Sequence, residues 1–201
     1  MKWFSSLITI VLFLAILVMP TFAEDVKPVM ARPVSIGGKS IKSIEPLTPD
    51  GKWAISQAKK LYVDLTGKTV EYTLIITEEA IDLAGAKFPV WAFGKEGEKG
   101  TVPGPTIGAV QGDFVRVIVK NKSQSNHTLR LHGPLTIRYG MSGVPDVAQE
   151  PIRPGEQFVY EFVAYPAGTH IYHGHINTNE PMNKGLYGPL IILPKQAGSD
   201  L

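Results

Sequence analysis

The chain has 201 residues, with 20 Lys and Arg against 18 Asp and Glu and a formal net charge of +2. So balanced a charge leaves no basic footprint for nucleic acid and no acidic tail. There is no cysteine, which excludes disulfides and thiolate metal ligands, so packing must hold the fold. The length fits one domain with an extension, and 20 Gly with 16 Pro fit a turn-rich, all-β protein.

In chain order, Met1-Lys2-Trp3 gives a short positive start and SLITIVLFLAILVMP an apolar run. Thr21-Phe22-Ala23 is a small-residue cleavage pattern. Residues 1–23 therefore read as a secretory signal peptide, with an uncleaved anchor as the alternative. The run is short for a span and ends at Pro20. The expected location is secreted or periplasmic, with no membrane association after cleavage. Residues 24–66 form an N-terminal extension in which Pro, Gly and Lys alternate with single apolar residues, a loose lead-in. Within it, Trp53–Val63 predicts two or three turns of helix, with Ile55, Ala58, Leu61 and Tyr62 on one side.

From residue 67 the period becomes two, and residues 67–196 are expected to be one domain, followed by a tail at 197–201. KTVEYTLIITEEAI places Val70, Tyr72, Leu74 and Ile76 on one face. DFVRVIVKN places Val115, Val117 and Val119 on one face and Arg116 and Lys120 on the other. QFVYEFVAY, HIYHGHI and GLYGPLIIL are further strands, separated by turn signals such as VPGPT, AVQGD, MSGVPD and YPAGT. Strand follows strand with no crossover helix, which predicts an all-β Greek-key sandwich or barrel.

All five histidines, His127, His132, His170, His173 and His175, fall in this domain. Residues two apart on a strand share a face, so His173 and His175 point one way and His170, Tyr172 and Gly174 the other. Their Cα atoms would be about 7 Å apart. That suits one metal held by both imidazoles or two metals bridged by an exogenous ligand, and imidazole favours Cu, Zn, Fe or Ni. His170 reads as a core residue or a support to a ligand, and Met182 as loop or core. Asp146 and Gln149 sit in the turn before PIRPG, where they either serve the turn or hydrogen-bond a ligand histidine or bound water.

VPGPTIGAVQGDFVRVIVKNKSQSNHTLRLHG, residues 102–133, resembles the first cupredoxin domain of multicopper oxidases and copper nitrite reductases. MSGVPDVAQEPIRPGEQFVYEFVAYPAGTHIYHGHINTNEPMNKGLYGPLIILP continues the likeness, which covers roughly residues 68–195. The resemblance implies a cupredoxin-like Greek-key fold and copper as cofactor. His132 matches the second histidine of the oxidases' HxHG motif, and His173 and His175 match their next HxH. These three are the expected metal ligands. Arg130 stands where the oxidases have a further histidine. It is always charged and cannot ligate, so it either binds an anion or fills the lost ligand's space with a salt bridge. In the nitrite reductase comparison His127 matches a blue-copper histidine, but Gly174 stands where the blue-copper cysteine would be. His127, Arg130 and His170 are thus supporting or additional candidates.

The expected function is a secreted, copper-binding, single-domain multicopper-oxidase-like protein, an oxidoreductase acting at a histidine-ligated, non-blue copper. The alternatives are a non-catalytic periplasmic copper carrier or subunit of a redox complex, and a domain whose histidines no longer bind metal. Expected partners are an external electron donor and two further copies in a homotrimer, with sites near the subunit interfaces.

Overall fold

The computed structural model describes residues 38–145, 147–176 and 179–195. The signal-peptide segment, the tail and Asp146 lie outside the described residues. The strands are β1 (Lys39–Ile41), β2 (Thr69–Leu83), β3 (Ala86–Lys95), β4 (Ile107–Val110), β5 (Phe114–Asn121), β6 (Leu129–His132), β7 (Gln157–Val163), β8 (Gly168–Gly174) and β9 (Tyr187–Leu193). Among the described residues, helices α1 (Pro49–Lys60) and α2 (Asn179–Asn183) and a 3-10 turn at Tyr139–Met141 complete the regular elements.

Two sheets face each other. One has the order β1-β2-β5-β7, with β3 pairing further along β2, and the other has the order β4-β9-β8-β6. Pairing is mixed: β2–β5 and β4–β9 are parallel, and the remaining ladders are antiparallel. The parallel partners arise because the chain crosses between sheets through Pro/Gly corners, so no crossover helix is needed. The period-two residues meet between the sheets as the sequence predicts. Tyr72, Leu74 and Ile76, Val115, Val117 and Val119, and Tyr160 and Phe162 pack against Ile107, Leu129, Leu131, Tyr172, Leu190 and Ile192. Burial of this apolar set is the main stabilising term.

The lead-in is more ordered than the sequence predicts. Its described part carries β1, which pairs with the start of β2, and α1, which packs on β7. The helix begins earlier than expected, at Pro49, because Thr48 caps it: the Thr48 hydroxyl accepts from the Gly51 amide at 2.9 Å. Pro in the first turn gives up no helical hydrogen bond. Its Ala58 packs with Val63, Phe114 and Val163 in a second small core.

A buried carboxylate fixes this helix. Glu161 of β7 is 1% exposed and accepts from the Leu47 amide (3.1 Å), the Thr48 amide (3.0 Å) and the Thr48 hydroxyl (2.7 Å). It also receives the Arg116 Nε–H at 2.8 Å, while Arg116 Nη1 reaches Glu71 at 2.9 Å. Arg116 does point away from the Val115/Val117/Val119 face, but the extension covers it and leaves it only 5% exposed. A Cβ at Gly51 would lie 2.3 Å from a Glu161 oxygen, so the close approach of helix and carboxylate requires glycine there.

Candidate metal centre

Strand β6 alternates in burial. Leu129 and Leu131 enter the core, while half-buried Arg130 and exposed His132 lie on the outer face. On β8, Tyr172 enters the core, and the register pairs Arg130 with His173 and His132 with Ile171. Arg130, His132, Ile171 and His173 therefore share the outer face of one two-strand ribbon. With His175 and Met182 they line an open cavity of about 540 Å³.

Two imidazoles converge there. The Nε2 atoms of His132 and His173 are 2.9 Å apart, and the rings stack with centroids 5.0 Å apart. His173 is only 4% exposed, and its Nδ1 sits 2.7 Å from the Gly174 carbonyl oxygen. A carbonyl only accepts, so Nδ1 carries the proton and Nε2 presents a lone pair. His132 Nε2 receives the Arg130 Nε–H at 3.2 Å, so it too presents a lone pair. The two Nε2 atoms face one cavity, and an ion held by both would have to take the His132 lone pair from Arg130. Nitrogens bound at about 2.0 Å to one metal at near-right angles are themselves about 2.8–3.0 Å apart.

His175 stands just past the end of β8, so strand parity does not fix its direction. Its ring centroid is 5.6 Å from that of His173, and its buried Nδ1 has no hydrogen-bond partner. Partial burial pushes the His132 pKa below the ordinary imidazole value, and His173 and the Arg130 charge add to this. His175 is pushed down by burial, then by Arg130, His173 and His132. Both stay neutral at neutral pH, the form that ligates. Among the described residues, no three His, Asp or Glu side chains are grouped to hold one ion. The geometry fits copper as a two-histidine half-site with His175 at its margin.

The other candidates lie elsewhere. His170 is half-buried. Its Nε2 is 3.0 Å from the Pro166 carbonyl oxygen, and its ring fills the space over Gly133, where a Cβ would meet Nδ1 at 2.0 Å. Gly133 also has a φ of +106°, so it is required there twice over. His127 is 1% exposed, held by backbone pairing with Ile152, by Ser123 Oγ at 2.9 Å and by the edge of Trp91. Gln149, read as serving the turn or reaching a ligand histidine or water, instead hydrogen-bonds the buried Tyr160 hydroxyl. Gly174 leaves no room for a thiol, because even a Cβ would lie 2.7 Å from Leu186 and 2.8 Å from Pro181. Met182, expected in loop or core, is 39% exposed on the cavity wall. Ile171 as the apolar wall was not singled out, although its place between His170 and Tyr172 on the period-two strand gives its face.

Burial pushes His127 from its ordinary 6.5 to about 4, with Lys184 adding and Glu78 and Glu180 opposing. The unfolded chain thus takes up this proton at higher pH than the folded one. Stability from His127 is complete above about pH 6.5 and is lost as pH falls toward 4, by about 3 kcal/mol at most. Denaturant titrations at pH 7 and pH 4.5 should show a smaller pH-dependent loss in His127→Gln than in wild type. Equal losses would contradict this.

The mixed two-sheet sandwich and its paired imidazoles define a cupredoxin-like domain. A family model described as multicopper oxidase matches residues 82–197, and the chain belongs to the multicopper oxidase family, whose members bind copper. Laccase 1 of Metarhizium acridum is 38% identical over 68% of this chain and 21% of its own length. Copper resistance protein A of Pseudomonas syringae pv. tomato is 33% identical over 72% and 22%. The blue copper oxidase of Nitrosomonas europaea superposes with a TM-score of 0.58 at 40% identity, over 64% of this chain and 40% of that one. The chain spans about a fifth of the length of the curated relatives it matches. Among the described residues, no helix is long and apolar enough to cross a membrane.

Proposed function

We propose that this protein is an exported copper-binding module whose outer histidine face contributes part of a copper site, with His132 and His173 as the core ligands and His175 beside them. The observation that carries this reading is the convergence of two Nε2 atoms to 2.9 Å on the residues that the family motif marks. When bound, copper would supply a one-electron redox centre. His173, locked by the Gly174 carbonyl, keeps one nitrogen aimed into the cavity, and Ile171 and Met182 give the cavity an apolar flank. Two converging histidines leave coordination positions open. A homotrimer that meets at this face would complete the site with ligands from a neighbouring copy. The oxidoreductase form of this reading needs an external electron donor, because Gly174 and its packed surroundings hold no thiolate relay.

The second reading is a carrier without turnover, and the Arg130–His132 hydrogen bond favours it, since a guanidinium at a ligand nitrogen loosens a metal site. Purified protein should retain copper after loading, and its mass by light scattering should be that of a trimer. Oxygen or nitrite consumption with added reductant separates the two readings. Loss of all copper on desalting would sink both.

A further inference from the structure

On the outer face of the β6–β8 ribbon, Arg130 Nε lies 3.2 Å from His132 Nε2, and Nη1 makes only a long 3.4 Å contact to the Ser142 carbonyl. Among the described residues, no carboxylate forms an ion pair with Arg130, whereas Arg138 has one and Arg116 and Arg153 have two each. The salt bridge that would neutralise a merely space-filling arginine is therefore not seen. A guanidinium has no acceptor and keeps its charge at any physiological pH.

We infer that Arg130 is a built-in competitor for copper at this pocket, one that weakens the hold on metal and turns the site toward cuprous rather than cupric ion. This rests on the copper-binding reading above. His132 Nε2 has one lone pair, and the same lone pair either accepts the Arg130 hydrogen or binds metal. Coordination through His132 therefore requires Arg130 to let go. The fixed positive charge then stays near the ion, and its repulsion is twice as large for a doubly charged ion as for a singly charged one. The soft thioether of Met182 on the same cavity wall suits the same cuprous state. The position that a further imidazole holds in the oxidases thus carries a group that makes metal exchangeable.

The test uses the full chain and copper ions alone, with cuprous and cupric affinities measured by competition against chromophoric chelators. Arg130→Leu removes both charge and hydrogen bond and adds no donor atom to the cavity. It should bind cupric ion about ten-fold or more tighter than wild type, with a smaller gain for cuprous ion. Arg130→Lys keeps the charge but not the planar Nε–H, so it should keep the wild-type cuprous preference. Copper binding by Arg130→Leu alone would support Arg130 as competitor while removing copper from the wild-type function. Equal affinities and equal cuprous-to-cupric ratios in wild type and Arg130→Leu would overturn the role of Arg130 and leave the copper site standing. Absence of binding in all three proteins would overturn both.

Discussion

Replacing His173 by alanine should lower copper affinity by on the order of 100-fold or more. The side chain is nearly buried, its Nδ1 proton is committed to the Gly174 carbonyl, and its Nε2 faces that of His132. No other described side chain supplies a nitrogen at that point. His132→Ala should lose binding comparably, because it removes one of the two converging nitrogens and leaves only His173 with the more distant His175. His170→Ala is the matched control: its ring packs over Gly133 and bonds the Pro166 carbonyl, so copper affinity should change by no more than about two-fold even if the loop loosens. Calorimetric titration of the three variants checks this. Retained binding in His173→Ala, or equal losses in His170→Ala, would contradict the assignment.

The largest effect on stability is expected at Glu161. Its carboxylate takes the Arg116 guanidinium and caps the chain at Leu47 and Thr48. Glu161→Ala leaves buried Arg116 with Glu71 as its remaining ion-pair partner and removes the seat of α1. Breaking a buried pair on one side destabilises by about 3–5 kcal/mol. Denaturant unfolding measures this, and limited proteolysis should show faster cleavage around residues 45–52, where the extension would peel away. A change below about 1 kcal/mol, or unaltered proteolysis, would mean that α1 docks through its apolar face alone. Glu161→Gln should fall between wild type and Glu161→Ala, since the amide keeps one acceptor for the Thr48 capping bonds but not the charge.

Much of the sandwich was legible because the core-facing side of the central strands is apolar while residues such as Arg116, Lys120 and Glu161 mark the other side, even where the extension covers it. Val115, Val117 and Val119 state that alternation directly, and the same period put His173 opposite Tyr172 and aligned Arg130 with His132. Strand β3 escaped because AKFPVWAFGK holds Pro89 at its centre. Proline removes a ladder donor and belongs on edges, and here the Pro89 half of the strand is the exposed half. Strand β4 is four residues long, wedged between two turn motifs, and reads as part of them. The extension looked loose because what orders it is distant in sequence: Thr48 meets Glu161, and neither local pattern announces the other. The site was legible as residue types and faces. The Nε2–Nε2 approach and the hydrogen bond from Arg130 to a ligand nitrogen depend on strand register and rotamers, which periodicity does not carry.

Electron paramagnetic resonance of the copper-loaded full chain, compared with His132→Ala and His173→Ala, tests the central claim most directly. The account predicts a non-blue cupric signal with superhyperfine splitting from histidine nitrogens, lost or reshaped in each single variant. A copper signal unchanged by both substitutions, or no retained copper at all, would contradict it.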